Sequence, residues 1–318
     1  MKVALLEPLR VSKEMIEKLA QPIKELGHEF IYYDKKTTKP DVLLERSRDV
    51  DVVMIANNPY PKKVVDQLDQ TKLINVAFTG VDHVARDAAK EKGIKIANAS
   101  GYSDQSVAEL VIGLTLDIYR SLSQGNQDIR KIPFKGMIQG NEIRGKTVGI
   151  VGTGKIGLKT AELFKAFGAN LVGYNRTEKE EAKKMGLKYL TLDELLSESD
   201  IVSVHLPMNN ETENFLSEEK LNSMKSSAIL INCARGPIVD NKHVANLLNN
   251  DRLAGAGIDV FDMEPPLPED YPLLHAKNTV LTPHVAYLTD EAMVKRAEIA
   301  FSNTVQFLKG NPKNTIKL

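Results

Sequence analysis

The chain has 318 residues, a size that favours two compact units over one core. Its 42 lysines and arginines balance 42 aspartates and glutamates, giving a formal net charge of zero, so no broad basic field is present to attract nucleic acid or an anionic membrane. Cys233 is the only cysteine, which excludes an intrachain disulfide and fits a reducing cytoplasm, and no apolar run approaches the roughly 20 residues of a membrane helix.

Residues 1–8 are apolar but are broken by Glu7 and preceded only by the charge of Lys2, so they predict a first strand and not a secretion signal. Short apolar runs at 3–6, 52–55, 73–77 and 94–97 alternate with charged amphipathic stretches, the pattern of parallel strands joined by crossover helices. A long helix is expected at 103–121, followed by a polar, glycine-containing segment, 124–144, without clear periodicity. The alternation restarts at 147–151 and continues at 171–174, 188–190, 201–206, 228–232, 256–260 and 279–281. Thr191 and Glu194 have the spacing of a capping box, Ser217 can cap the segment ending near Met224, and Gly168 and Gly186 stand where a left-handed residue ends a helix. The last helix begins near Thr289, places Ala292, Met293, Ala297, Ala300, Phe301 and Phe307 on one face, and stops at Gly310-Asn311-Pro312. The expected class is α/β with two doubly wound parallel sheets. A return of the last helix to the first sheet would make the first domain discontinuous, residues 1–99 plus 287–318, with a second domain at 100–286 and a hinge at the crossings.

The predicted strand Thr147-Val148-Gly149-Ile150-Val151 runs directly into Gly152-Thr153-Gly154-Lys155-Ile156-Gly157 and then a helix. Gly152 permits a tight turn, Gly154 lets the backbone approach a pyrophosphate, Gly157 lets the helix lie close to the sheet, and the first-turn N–H groups face the phosphates. The next strand ends Tyr174-Asn175-Arg176-Thr177, where an NAD-preferring fold usually carries Asp or Glu for the ribose hydroxyls. A neutral Asn175, a cationic Arg176 and the Thr177 hydroxyl favour the 2′-phosphate of NADP. Ordinary NAD, with Asn175 on its ribose, is the alternative. Three further apolar runs each lead to one polar residue, Arg235, Glu264 and His284, and residues just past parallel strand ends can meet in one crevice.

Read in order, Thr79-Gly80-Val81-Asp82, Ser106-Val107-Ala108-Glu109, the glycine loop, His205-Leu206-Pro207, Asn232-Cys233-Ala234-Arg235-Gly236, Gly257-Ile258-Asp259-Val260-Phe261 with Glu264-Pro265, and Thr282-Pro283-His284 resemble the D-isomer-specific 2-hydroxyacid dehydrogenases. That family includes phosphoglycerate, glyoxylate and hydroxypyruvate reductases, and the resemblance covers nearly the whole chain. It implies a flavodoxin-like substrate (catalytic) domain built from both chain ends and a Rossmann-type NAD(P)-binding domain between them. The implied reaction is reversible hydride transfer between a nicotinamide cofactor and a small 2-keto or D-2-hydroxy acid.

The resemblance also assigns roles. Arg235 would hold the substrate carboxylate and polarise the keto oxygen, His284 would exchange the proton, and Glu264 would pair with His284 and favour its protonated form. Pro207, Asp259 and the backbone of Cys233, Ala234 and Arg235 would lie against the cofactor, and Thr79 and Gly80 would receive the substrate. No metal and no nucleic-acid partner is implied. A homodimer through the cofactor domain is expected, with 124–144 at the interface. Two departures stand out: the chain has no tryptophan, which many relatives carry within 124–144, and Tyr287 occupies a position where a small residue is common, so its bulk would narrow the substrate site. A second expectation is a dinucleotide-sensing interaction protein, because the resemblance extends to corepressors on the same fold.

Overall fold

The computed structural model describes residues 1–131 and 136–318. The chain divides into two units, Met1–Ser103 with Leu288–Leu318, and Asp104–Tyr287. In the first, strands β1 (Lys2–Leu5), β2 (Glu29–Tyr32), β3 (Val52–Ile55), β4 (Leu73–Val76) and β5 (Lys95–Asn98) form one parallel sheet in the order β2-β1-β3-β4-β5, the flavodoxin-like arrangement. Strands β3 and β4 are buried at every position, which is why they read as continuous apolar runs. The edge strand β2 is exposed or half-buried throughout, and no matching run announced it. Val3, Leu5, Val52 and Met54 share a core with Ile16, Ala20 and Ile23 of the helix Lys13–Glu25.

The final helix, Asp290–Leu308, belongs to this unit. Thr289 Oγ1 accepts from the Ala292 N–H at 3.2 Å, capping its first turn. Ala292, Met293, Ala297, Ala300 and Phe301 are buried as the spacing predicts, while Phe307 is only half-buried. Beyond it the chain lies along β5: the Asn98 N–H donates to the Asn314 carbonyl at 3.1 Å and the Ile316 N–H to the Ile96 carbonyl at 2.9 Å.

The second unit holds a seven-stranded parallel sheet of β6 (Thr147–Val151), β7 (Asn170–Tyr174), β8 (Lys188–Tyr189), β9 (Ile201–Val204), β10 (Ile229–Asn232), β11 (Gly255–Ile258) and β12 (Thr279–Leu281), in the order β12-β11-β10-β9-β6-β7-β8. The chain moves outward from β6 through β7 to β8 and then returns to the other side of β6 with β9. That reversal opens a crevice at the carboxyl ends of β6 and β9. The helix Asp104–Arg120 packs on one face. A Cβ on Gly257 of β11 would lie 2.9 Å from Leu114 Cβ of that helix, so the glycine sets the close approach. The other face buries Leu195, Leu196, Leu221, Val244 and Leu248.

Gly168 and Gly186 adopt φ of +80° and +95°, the left-handed helix ends expected of them. Thr191 and Glu194 form both halves of the capping box. Ser217 occupies the N-cap position of a single-turn helix, Glu218–Leu221, but its hydroxyl makes no capping hydrogen bond. A short helix, Leu122–Asp128, runs into the segment expected to show no clear periodicity, and its one apolar residue could give no periodic signal. Residues 132–135 of that segment lie outside the described residues. Among the described residues no helix is long and apolar enough to cross a membrane.

Candidate active site

Strand β6 ends at the glycine turn, and each glycine there has a separate geometric reason. Gly152 has φ +100°, and a Cβ on it would sit 2.8 Å from the His205 carbonyl oxygen at the end of β9. Gly157 lies in the first turn of the helix Lys155–Ala166, where a Cβ would fall 2.0 Å from the Gly152 carbonyl oxygen. Gly154 is different: a Cβ there would meet nothing within 4 Å. Its side faces open space at the N-terminus of a helix that has no side-chain cap, which fits a pyrophosphate approaching the backbone. Gly157→Ala forces backbone apart from backbone, so it is expected to cost about 1–3 kcal/mol or more of stability. Denaturant unfolding would read that loss, and titration with reduced cofactor would read the weakened binding.

At the end of β7, the Asn175 side-chain amide donates to the Thr177 carbonyl at 2.6 Å, while the Arg176 guanidinium pairs with the Glu211 carboxylate. Both members of that pair are exposed, so it adds little stability. Tyr189 links the glycine turn to the segment after β7. Its hydroxyl lies 2.7 Å from Thr153 Oγ1 and accepts from the Lys179 N–H at 2.9 Å. Lys155 and Ile156 are the first two residues of the helix, with Gly154 as its cap.

The turn after β10 is held by Asn232, which is fully buried. Its Oδ1 accepts from the Ala234 N–H at 3.0 Å, and its Nδ2 donates to the Arg235 carbonyl at 3.0 Å. These bonds fix the Cys233-Ala234-Arg235 backbone against the sheet, and Arg235 Nη1 donates to the Ala234 carbonyl at 2.7 Å. Burial, with nearby Asp259, pushes the Cys233 thiol well above its ordinary value, so it stays protonated and is a poor nucleophile. Pro207 is exposed, beyond the end of β9.

Asp259, one residue past β11, is fully buried and organises the next loop. Its Oδ1 accepts from Thr282 Oγ1 at 2.6 Å and from the Val285 N–H at 2.8 Å, and its Oδ2 accepts from the Ala286 N–H at 2.9 Å. Its carbonyl accepts from the His284 N–H at 2.8 Å. Burial raises the Asp259 carboxyl above the usual carboxylate range, against the pull of these hydrogen bonds and of His284. His284 is thereby held at φ +54°, a left-handed conformation that few non-glycine residues adopt and that histidine tolerates better than most.

The imidazole meets Glu264: Nδ1 lies 2.9 Å from Oε1 and 3.1 Å from Oε2. Tyr287 packs edge-on against the His284 ring, with centroids 5.5 Å apart. Thus Glu264 and His284 are brought together, on loops that follow β11 and β12.

His205 takes no part in that pair. Its Nε2 lies 2.8 Å from Ser203 Oγ, and burial of the ring pushes its pKa down to about 3. The unfolded chain, with an ordinary value of 6.5 for this group, binds more protons between pH 6.5 and about 3, so folded stability falls as pH drops through that window. Thermal melting against pH should therefore show a shallower acid-side loss in His205→Gln than in the wild type.

Thr79 and Gly80 lie in the first unit, just beyond β4. Asn98 Nδ2 donates to the Thr79 carbonyl at 2.8 Å, and the Thr79 hydroxyl is buried without a hydrogen-bond partner. The residue that sequence reasoning passed over is Asn232. An asparagine at a strand end followed by a small-residue turn is the available signal for it, since its amide can bond its own backbone two residues on.

The fold has known counterparts. Residues 112–286 match the family model described as "D-isomer specific 2-hydroxyacid dehydrogenase, NAD binding domain". The hydroxypyruvate reductase of Blautia hydrogenotrophica is 32% identical over 305 residues, covering 92% of this chain and 93% of its own. Among solved structures, an acyclic imino acid reductase in complex with NADPH and D-Arg has a TM-score of 0.87 at 28% identity, with both chains fully covered. The D-lactate dehydrogenase from Aquifex aeolicus, complexed with NAD and lactic acid, has a TM-score of 0.83 at 27% identity, covering 98% of this chain and 96% of its own. The chain therefore belongs to the D-isomer specific 2-hydroxyacid dehydrogenase family.

Proposed function

We propose that this dehydrogenase reduces small 2-keto acids to D-2-hydroxy acids through Arg235, His284 and Glu264. The observation that carries the reading is the pairing of His284 Nδ1 with both oxygens of Glu264. It commits one ring nitrogen to the carboxylate and leaves Nε2 for proton exchange with substrate. A bound reduced nicotinamide supplies the hydride. Arg235 binds the substrate carboxylate and polarises the keto oxygen as negative charge gathers there. His284 gives that oxygen its proton, and Glu264 stabilises the imidazolium before transfer. In the oxidative direction the same Nε2 accepts the proton.

Cofactor choice turns on the end of β7. No carboxylate is present at Asn175 or Arg176 to bond the adenine ribose, which favours NADP, but Glu211 holds the arginine and repels a 2′-phosphate. We favour NADPH, and expect Glu211→Gln to raise the ratio of kcat/KM for NADPH over NADH. Tyr287 beside His284 favours short substrates, so glyoxylate, pyruvate and hydroxypyruvate should outperform branched or aromatic 2-keto acids.

The experiment is oxidation of NADH and of NADPH, in parallel, by that panel of acids. Turnover of the short acids supports the reading. Tight cofactor binding with no turnover of any acid would instead favour a dinucleotide sensor, a reading for which we find no supporting feature. We also infer a homodimer: Leu122, Ile129, Met137 and Ile138 are exposed apolar residues within one stretch of chain, and a second copy would cover them. Sedimentation should give twice the 35.2 kDa chain mass, and Met137→Glu should lower it.

A further inference from the structure

We propose that Asp262 is a positioning residue that ties the loop bearing Glu264 to the loop bearing Arg235. This inference rests on the proposed role of Glu264 and extends it. Glu264 has a side chain 75% exposed, and an exposed carboxylate loses rotamer freedom and gains little when it pairs. Something other than the ion pair must keep it beside His284, whose own position is set by Asp259.

The loop between β11 and β12 is pinned at its base on both sides of Glu264. Upstream, Asp262 Oδ2 accepts from the Tyr271 hydroxyl at 2.7 Å, a bond spanning nine residues that closes the loop. The Tyr271 ring is buried and packs edge-on against Phe261, centroids 5.8 Å apart. The other Asp262 oxygen, Oδ1, accepts from Asn241 Nδ2 at 2.9 Å. Asn241 is buried at the start of the helix Asn241–Asn249, which follows the Arg235 turn, and its Nδ2 also lies 3.4 Å from the Gly236 carbonyl. Gly236 completes the join: a Cβ there would fall 1.9 Å from the Phe261 carbonyl oxygen and 2.7 Å from the Asp262 nitrogen. The two loops therefore touch backbone to backbone.

One carboxylate accepts from both donors, and an amide has only one oxygen to do so. Asparagine at 262 keeps one acceptor oxygen: its NH₂ would either face the NH₂ of Asn241 or donate to a turned Tyr271 hydroxyl, a neutral bond in place of one to a carboxylate. One tether is lost or reduced to a weaker neutral bond, and the loop carrying Glu264 is loosened at its base. The charged groups facing His284 are Glu264 and Asp259; Asp262 is bonded to Tyr271 and Asn241 instead.

The test compares Asp262→Asn, Tyr271→Phe and Glu264→Gln, alone and with Asp262→Asn combined with Glu264→Gln. Steady-state kinetics of keto-acid reduction are measured across pH, with reduced-cofactor affinity by fluorescence titration. Asp262→Asn is expected to lower kcat by about 10–100-fold, the scale of a misplaced catalytic group. Its pH profile should move the same way as that of Glu264→Gln, with cofactor affinity unchanged. The double variant should be no worse than Glu264→Gln alone, because both remove one function. Tyr271→Phe, which keeps the ring against Phe261, should show the same profile shift in smaller measure if Asp262→Asn does not fold. A shifted profile in Glu264→Gln with a wild-type profile in Asp262→Asn, or in Tyr271→Phe where that variant stands in, overturns this inference alone. An unshifted Glu264→Gln overturns the role of Glu264 and this inference with it.

Discussion

His284→Asn is expected to lower kcat/KM for 2-keto acid reduction by about 10²–10⁴-fold, the usual contribution of a positioned general acid. Asparagine is chosen because it separates chemistry from folding. The backbone at 284 has φ +54°, which asparagine also adopts readily. The bonds that hold the residue come from its own N–H to the Asp259 and Thr282 carbonyls, and these survive the change. The Asp259 carboxylate keeps Thr282, Val285 and Ala286. What is lost is the partner of Glu264 and, with the imidazole, the proposed proton donor. Melting temperature and cofactor affinity should stay close to wild type, while the hydride-transfer rate collapses. An asparagine variant with undiminished turnover would remove His284 from the chemistry.

Arg235→Lys should cost about 10²–10³-fold in kcat/KM, comparable with removing one donor to a developing oxyanion. Lysine keeps the charge but replaces a planar fork with a single ammonium, so it cannot hold the carboxylate and the keto oxygen together. The turn at 235 is held by the two Asn232 side-chain bonds, so it should persist although the bond from Arg235 Nη1 to the Ala234 carbonyl is lost. Both kcat and KM are expected to suffer, because in the proposed role the fork would bind the ground-state carboxylate and stabilise the transition state. Substrate-saturation curves at fixed cofactor separate the two effects. A rise in KM alone would confine Arg235 to binding.

The parts of this site that were legible in the sequence are those encoded by contiguous chain. A strand, a glycine turn and a helix follow one another within residues 147–166, and the structure shows Gly152 at positive φ and Gly157 against a carbonyl. Glu264 and His284 were legible as polar residues past apolar runs, because parallel sheets align strand ends. The work of Asp259 was not. Its carboxylate bonds residues 23 to 27 positions further on, and periodicity along one segment carries no information about such pairings. Asn232 hides for another reason: it completes a four-position buried strand and so reads as the tail of an apolar run. The edge strand β2 and the helix Leu122–Asp128 were missed because neither has a continuous buried face.

Hydride delivery to C2 of the keto acid is the step on which the proposed function rests. The direct measurement is reduction of pyruvate or glyoxylate by the wild-type protein with nicotinamide cofactor deuterated at the transferring position, followed by mass and chiral analysis of the product. The expected result is one deuterium at C2 of the 2-hydroxy acid and, from pyruvate, the D configuration. Unlabelled product, the L configuration, or no product despite bound cofactor would contradict it.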